Sequence, residues 1–112
     1  MNGSRREKIE RLLAEDPDDV FLRYSLALEM EAAGEWEASL SILETLGRAA
    51  TPYVPALHMA ARHLVRRARI AEARRALREG IEAARSQGET HAAAEMAELL
   101  QSLGAAGDPA DD

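Results

Sequence analysis

The chain has 112 residues, a formal net charge of -6 at pH 7 and no cysteine. This length gives one modest domain with enough chain to bury a core, and the missing thiols exclude disulfides, thiolate metal sites and a cysteine nucleophile. Alanine and leucine carry most of the apolar content, which favours helices over sheets. The start, MNGSRREKIERLL, has no long apolar core, and no apolar run approaches the ~20 residues of a membrane span. We therefore expect a soluble, cytoplasmic all-α protein.

Start and stop signals divide the chain into six predicted helices. The first opens at the capping-box pair Ser4 and Glu7 and stops before the stretch EDPDD. Asp18 or Asp19 can cap the second, which runs through VFLRYSLALEMEAA until Gly34 ends it as a C-terminal cap. The third helix is EWEASLSILETLGR, whose apolar residues recur at helical spacing.

Three further helices and a tail follow. Thr51 is predicted to cap the fourth helix with Pro52 at its first position, and Pro55 fits in the first turn because amides there lack intrahelical partners. The fifth helix, RIAEARRALREGIEAARS, ends near Gly88, and the sixth is THAAAEMAELLQSL. Residues 104–112 are small and acidic, and we expect them to form a disordered tail.

The helices repeat along the chain. A shift of 34 residues places AAGEWEASLSILETLGRA on RRARIAEARRALREGIEA, so that Leu43 meets Leu77 and Leu46 meets Gly80. The helices upstream of these two keep the same phase, with Leu26 on Ala60. Helices in pairs at a fixed period are typical of a solenoid, in which each unit buries the apolar face of its neighbour.

The repeat resembles that of the tetratricopeptide repeat family, whose helix-turn-helix unit has this period. The resemblance implies a right-handed α-α superhelix of antiparallel helix pairs, forming one domain over residues 1–103. It implies a half repeat (4–17), two full repeats (18–51 and 52–87) and a capping helix (89–103). Packing between the paired helices of the second repeat would involve Leu57, Ala60, Ala61, Leu64, Ile70, Ala73, Leu77 and Gly80.

Two small residues bear on the resemblance. Gly34 fits the family's turn glycine, but Ala68 replaces it in the second repeat. Gly80 occupies a position where the family needs a small side chain because two helices approach closely, and a missing Cβ permits that approach. The alternative is that Gly80 is an incidental weak position in its helix.

The capping helix has a polar and an apolar side. Its apolar residues would cover the second repeat, while Glu95, Glu98 and Gln101 would face water. The apolar residues are Met96, Ala97, Leu100 and Leu103. If this cover is incomplete, the remaining apolar surface should drive dimerisation.

The resemblance also implies a concave groove lined by the first helix of each repeat. The matching positions, called the predicted groove below, are Phe21, Tyr24, Leu28, Glu31, Pro55, His58, Met59, Arg62 and Arg66. Phe21, Tyr24 and Leu28 form a second apolar stripe on their helix, so that helix must be covered on two sides. Either a partner's apolar peptide or helix covers them, with Arg62 and Arg66 pairing its carboxylates, or the chain's own terminal helices do.

Charge is distributed unevenly along the chain. Residues 62–85 are rich in arginine, whereas residues 15–44 are acidic except for Arg23. A helical wheel places four arginines of the fifth helix on its solvated face, namely Arg74, Arg75, Arg78 and Arg85. Charge-guided self-association of the acidic first repeat with the basic second repeat is an alternative. RNA binding is disfavoured, because no aromatic residue follows Tyr53 and the chain is acidic overall.

The motifs of catalysis and metal binding are missing from the sequence. His58 and His63 are five residues apart and share no helix face, and His91 is distant from both. There is no glycine-rich phosphate loop and no GxSxG, and Asp18 and Asp19 are typical of helix caps. We therefore expect a protein-binding scaffold or adaptor that is not an enzyme, holds no cofactor or metal and contacts no membrane. The alternative is a self-assembling, homo-oligomeric subunit.

Overall fold

The structure is a computed structural model that describes residues 4–104. Over these residues the chain forms helices only: α1 Arg5–Glu15, α2 Val20–Ala32, α3 Trp36–Gly47, α4 Val54–Arg66, α5 Ile70–Ser86 and α6 Thr90–Leu103. The prediction of six helices in an all-α fold is confirmed for this part of the chain. The tail predicted for residues 104–112 lies, apart from Gly104, outside the described residues.

Side-chain caps set the starts of the first two helices. The amide of Glu7 donates to the Oγ of Ser4 at 3.1 Å, and the amide of Ser4 donates to the Oε1 of Glu7 at 3.2 Å, which is the predicted capping box. Asp19 rather than Asp18 caps α2, accepting from the amide of Leu22 at 2.8 Å. These bonds satisfy amides that have no partner inside the helix.

The fourth helix begins later than predicted. Thr51 does not cap it and Pro52 precedes it, whereas Tyr53 is the N-cap residue and Pro55 lies in the first turn. The amide of Tyr53 donates to the carbonyl of Leu46 at 3.0 Å, so this residue is tied to the end of α3 and stays extended at φ -84° and ψ 100°. The prediction for Thr51 and Pro52 is wrong because local signals do not reveal this tertiary hydrogen bond.

Consecutive helices make the extensive contacts of the fold, from α1 on α2 through to α5 on α6. Three-residue connections join α2 to α3, α4 to α5 and α5 to α6. A connection this short between two contacting helices makes an antiparallel hairpin. We call the α2 and α3 pair the first hairpin and the α4 and α5 pair the second hairpin.

Buried side chains form two apolar clusters along this row of helices. The first cluster surrounds Leu43 and includes residues of α2, α3, α4 and α5. The second cluster surrounds Leu77 and Met96 and joins α4, α5 and α6. Most of the predicted packing residues of the second repeat are buried in these clusters, namely Leu57, Ala60, Ala61, Leu64, Ala73 and Leu77. Each hairpin therefore needs a helix from outside the pair to complete its core.

Gly80 lies where three helices meet. A Cβ atom built on it would lie 2.5 Å from the Sδ of Met96 and 3.3 Å from the Cβ of Leu57. The predicted close approach is confirmed, and it involves α6 as well as α4. Gly47 is a second such position, since its Cβ would lie 2.6 Å from the Cδ2 of Leu57. The close approach at Gly47 was not predicted from the sequence.

The turns after α2, α4 and α5 share one backbone geometry. Each contains a residue with positive φ, which is Gly34 at +85°, Ala68 at +60° and Gly88 at +75°. After α2 and after α4, the amide of this residue and the next amide donate back to the last turn of the helix at 3.0 and 2.9 Å. This pattern is the Schellman motif, in which glycine is the usual residue at the positive φ. Ala68 is therefore a strained substitute in an otherwise identical turn.

Replacing Ala68 by glycine should stabilise the protein. The left-handed conformation costs an L-residue about 1–2 kcal/mol, and the greater freedom of glycine in the unfolded chain offsets about 0.4–1 kcal/mol of that gain. We expect Ala68→Gly to raise the free energy of unfolding by about 1 kcal/mol in urea titration. Gly34→Ala is the matched control and should lower it by a similar amount, since its Cβ would meet no atom within 4 Å and only the backbone is strained. An unchanged or lower stability of Ala68→Gly would contradict the argument.

Candidate functional site

Contacts between α2 and α4 place much of the predicted groove along one surface. The ring of Tyr24 in α2 packs edge-on against Tyr53 at the start of α4, with centroids 5.4 Å apart and planes at 70°. Near the other end of both helices, Glu31 meets Arg66 at 3.1 Å. The first helices of the two hairpins therefore lie side by side, although α3 separates them in sequence.

The α2 residues of the predicted groove differ in how far they are covered. Phe21 remains 64% exposed, whereas Tyr24 and Leu28 are half-buried. Burial raises the pKa of the Tyr24 hydroxyl, and the neighbouring Tyr53 adds to that effect. The first helix packs through Ile9 but leaves Leu12 53% exposed. Within the described residues, neither α1 nor α6 buries Phe21, and Tyr24 packs against Tyr53 and the first cluster.

The α4 residues of the predicted groove divide between surface and core. His58, Arg62 and Arg66 follow each other at intervals of four, so they lie on one face of the helix. Pro55 is exposed in the first turn. Met59 instead packs against the first cluster, because its position on the helix turns it toward α2 and α3. Its role in this structure is in packing.

An open cleft lies between α4 and α6, with a volume of about 610 Å³. We call it the α4–α6 cleft, and its lining residues are His58, Arg62, Val65, Arg66, Glu95, Glu98, Leu99 and Ser102. The α4 wall is basic and the α6 wall is acidic, and Val65 and Leu99 are the apolar residues of the lining. Among residues 4–104, no ion pair within 4.0 Å joins the two walls.

The α6 wall of this cleft was not predicted from the sequence, in which Glu95 and Glu98 were expected only to face water on a capping helix. A usable signal was present. The helices α2 and α4 begin at Val20 and Val54, one repeat period apart, and α6 begins at Thr90, close to the next period. This spacing gives α6 the place of the first helix of a third unit, which would line the same surface.

Glu31 of the predicted groove is held in a cluster of charges rather than on the open surface. Its side chain is 10% exposed, and its Oε2 accepts from Arg66 at 3.1 Å and from Arg67 at 3.3 Å. Its Oε1 lies 3.6 Å from the Nδ1 of His63, and neither of these two buried atoms has a hydrogen-bond partner within the described chain. We call Glu31, His63, Arg66 and Arg67 the Glu31 cluster. It fixes the second hairpin against the end of α2.

Trp36 reinforces the same junction from α3. The guanidinium of Arg67 lies 4.8 Å from its ring centroid and that of Arg69 lies 5.7 Å away. Such cation–π contacts contribute about 0.5–1 kcal/mol at exposed sites. The turn from α4 to α5 therefore contacts both α2 and α3. The ion pair with Glu31 also fixes the orientation of the Arg66 side chain beside the cleft.

His63 makes the stability of this junction depend on pH. Burial lowers its pKa below the ordinary value of 6.5, Glu31 partly opposes this, and the nearby Arg66, Arg67 and Arg62 lower it further. The unfolded chain therefore takes up a proton more readily than the folded chain. His63 contributes stability that is fully present above its unfolded pKa and is lost as the pH falls through 6.5 toward the folded pKa.

We expect the free energy of unfolding to fall between about pH 7.5 and about pH 5.5, by at most about 1.4 kcal/mol per pH unit for one histidine. His63→Gln should flatten this slope in urea titrations at several pH values. Burial also lowers the pKa of His58, so adding His58→Gln should remove the remaining slope. A His63→Gln variant with the full slope would contradict this assignment.

Several acidic side chains of the first hairpin are paired within the chain. Glu35 accepts two hydrogen bonds from Arg6, at 2.7 and 3.1 Å, and this contact lowers the pKa of its carboxyl. Glu29 lies 3.2 Å from the Nε of Arg5. With Glu31 also paired, the acidic segment presents less free charge to a second molecule than its sequence predicts.

One arginine of α5 is placed differently from the prediction. Arg74 is buried, and its guanidinium donates to the carbonyl of Gly104 just after α6. The prediction of a solvated position is wrong for Arg74, because the end of α6 lies over this part of α5 and supplies an acceptor. Arg75, Arg78 and Arg85 are exposed as predicted.

A second concavity lies away from the predicted groove. It has a volume of about 910 Å³ and is formed by the start of α2, the exposed side of α3 and the connection from α3 to α4. Arg23, Glu44 and Arg48 provide its charged residues. It contains no residue of the predicted groove.

Comparisons with known proteins give no relative for this chain: no family model, no curated protein and no solved structure matches it. Within residues 4–104, no group of three or more histidine, aspartate or glutamate residues is placed to hold a metal ion. None of the helices described here combines the length and apolar character needed to cross a membrane.

Proposed function

We propose that this protein is a non-enzymatic binding scaffold of the tetratricopeptide repeat type. In this proposal the hairpins form a right-handed superhelix, and a peptide or helix of another protein binds to the surface formed by α2, α4 and α6. Three observations support the repeat: consecutive helices pack on each other, α2 and α4 begin one period apart, and the turns at Gly34 and Ala68 have the same hydrogen bonds.

The observation that carries the binding role is the open α4–α6 cleft. Three residues of the predicted groove, His58, Arg62 and Arg66, form its basic wall. Pockets of some hundreds of Å³ that combine apolar residues with a few placed polar groups are typical of binding sites. Phe21 on α2 belongs to the same predicted groove by its position in the repeat, and its exposed ring is a suitable apolar anchor, since aromatic residues are enriched among binding hot spots.

Affinity capture from the native host tests this proposal. The double variant Phe21→Ser and Arg62→Glu should lose the captured partners while its helical circular dichroism and unfolding midpoint stay unchanged, because both side chains are exposed. Arg75→Glu is the matched control, since it makes the same charge change at an exposed position of α5. Equal capture by the double variant and the control would refute a partner site on this surface.

Self-association is a second candidate function, favoured by exposed apolar side chains. Leu12, Val20 and Phe21 are the large apolar residues left most open among the described residues, and a patch of this kind can join two copies. The pairing of Glu29, Glu31 and Glu35 within the chain makes an acidic-to-basic contact between copies less favourable. Light scattering at high concentration separates the candidates, because a strict monomer would remove self-association.

A further inference from the structure

We infer that the second concavity binds a small organic acid, with the carboxylate of the acid at Arg23 and its apolar body against the walls. This concavity, called the α2–α3 concavity below, is the open volume of about 910 Å³ at the start of α2. It shares no residue with the predicted groove, so the inference goes beyond the proposed function and does not depend on it.

The α2–α3 concavity exists because α3 ends early. The 34-residue shift aligns α3 with α5, but α3 has 12 residues and α5 has 17. Pro52 stands where α5 has Ser86, and a proline lacks the amide that a helix needs and disfavours the helical conformation in the residue before it. The chain therefore leaves the helix after Gly47 and reaches α4 through a six-residue connection, 48–53.

The second hairpin has no opening at the corresponding place. There the end of α5 buries Ala83 and Ala84 in the cluster that also contains Val54 and Leu57. Val20 corresponds to Val54 in the repeat, and it is 41% exposed where Val54 is 3% exposed. The first hairpin is therefore open where the second hairpin has a filled core.

Arg23 places a positive charge in this opening. It occupies the position in the first repeat that Leu57 occupies in the second, and it is half-buried. Its side chain makes no ion pair or hydrogen bond with another described residue. Covering a guanidinium without giving it a partner is unfavourable, and carboxylates match its donors in geometry and charge. A carboxylate bound in the concavity would supply the partner that the chain does not.

The other lining residues define the rest of the ligand. Arg48 adds a second cation and Glu44 the single carboxylate, so the lining has a net positive charge. Val20, Pro52 and Tyr53 supply apolar surface. Volumes of about 300–1,000 Å³ that combine apolar walls with a few polar groups are typical of small-molecule sites. The matching ligand carries a carboxylate on an apolar body, whereas inorganic phosphate would leave the apolar walls uncovered.

NMR titration of the isotope-labelled full chain with octanoate and with octanol tests the inference, because these probes share an apolar chain and differ in charge. Octanoate should shift the amide signals of Arg23, Thr45 and Arg48 in a saturable manner. Octanol should bind at least about fivefold more weakly, which is the effect of one partly exposed ion pair. Inorganic phosphate at the same concentration should leave these signals unchanged.

The variant Arg23→Leu removes the cation and introduces the residue found at the same position of the second hairpin. It should keep the helical circular dichroism and a urea midpoint no lower than that of the wild type, and it should bind octanoate at least about fivefold more weakly. Arg75→Leu is the matched control, since it makes the same change at an exposed position of α5 and should bind octanoate as the wild type does.

Two kinds of result would overturn the inference. The first is octanoate that shifts none of the signals of the α2–α3 concavity, or that binds Arg23→Leu as tightly as it binds the wild type. The second is equal binding of octanol or of phosphate, because equal binding of octanol would leave no role for the charge and equal binding of phosphate none for the apolar body. Saturable binding of octanoate that is weakened by Arg23→Leu and unchanged by Arg75→Leu would establish the inference.

Discussion

Leu77→Ala should lower the free energy of unfolding by about 3–5 kcal/mol, at the upper end of leucine truncations. Leu77 is fully buried at the centre of the second cluster, where α4, α5 and α6 meet. Several of its cluster neighbours are alanines, including Ala61 and Ala84, and they have no side-chain atoms that could move into the cavity. A loss of this size is a large part of the about 5–15 kcal/mol that stabilises a typical domain.

Equilibrium urea unfolding of wild type and Leu77→Ala measures this effect. Leu12→Ala is the matched control, since the same truncation at a half-exposed leucine of α1 should change stability by less than about 1 kcal/mol. Equal losses from the two variants would mean that Leu77 is not at the centre of the core.

Gly80→Val should lower the free energy of unfolding by about 3 kcal/mol. A Cβ at this position would already lie 2.5 Å from the Sδ of Met96, and larger side chains inserted into a packed core cost about 1–3 kcal/mol or more. Gly80→Ala is a finer test, because alanine gains about 1 kcal/mol of helix propensity and loses more through this contact. We expect a net loss of about 1 kcal/mol for Gly80→Ala.

A second variant separates packing from helix propensity. Met96→Val removes the Sδ and Cε atoms, which lie 2.5 and 3.3 Å from the new Cβ, and leaves the Cβ of Leu57 at 3.3 Å. Gly80→Ala should therefore be less destabilising in that background than in the wild type, and stabilising by at most about 1 kcal/mol. Thermal or urea unfolding of the four proteins in this double-mutant cycle gives the coupling directly. If Gly80→Ala has the same effect in both backgrounds, the close approach does not determine the choice of glycine.

Elements fixed by local chemistry were predictable from the sequence. The capping box at Ser4, the glycine turn at Gly34 and the bounds of α6 follow from residues within one turn of each feature. The small residue at Gly80 was expected because the resemblance to the tetratricopeptide repeat places it where that family needs a small side chain. Local capping and periodicity therefore explain most of the element pattern.

Features that depend on neighbouring helices were not predictable. The start of α4 is moved by a hydrogen bond from Tyr53 to α3, and Arg74 is buried by the end of α6. Glu31 was assigned to the predicted groove by its position in the repeat. Its carboxylate instead pairs with Arg66 at the end of α4 and with Arg67, the residue after it, and is largely buried. In each case the contacting group belongs to another helix or to the residue just after that helix. A helical wheel drawn for one helix shows no contacts with other helices.

The candidate site also combines a part that one helix determines with a part that depends on a neighbouring helix. The α4 wall of the cleft came from repeat positions on a single helix, whereas the acidic α6 wall depends on α6 lying beside α4. The sequence contained Glu95 and Glu98 as a polar face without indicating what they would face. A cleft between two helices is a property of their packing, and one sequence read helix by helix gives only one wall at a time.

The fourth helix contributes to both apolar clusters, with Ala56, Ala60 and Leu64 in the first and Leu57 and Ala61 in the second. Cutting the chain between the two hairpins would therefore leave each half with an open core, and neither fragment would be an autonomous folding unit. Any lengthening or shortening of this array must keep a helix with two apolar faces at every internal boundary.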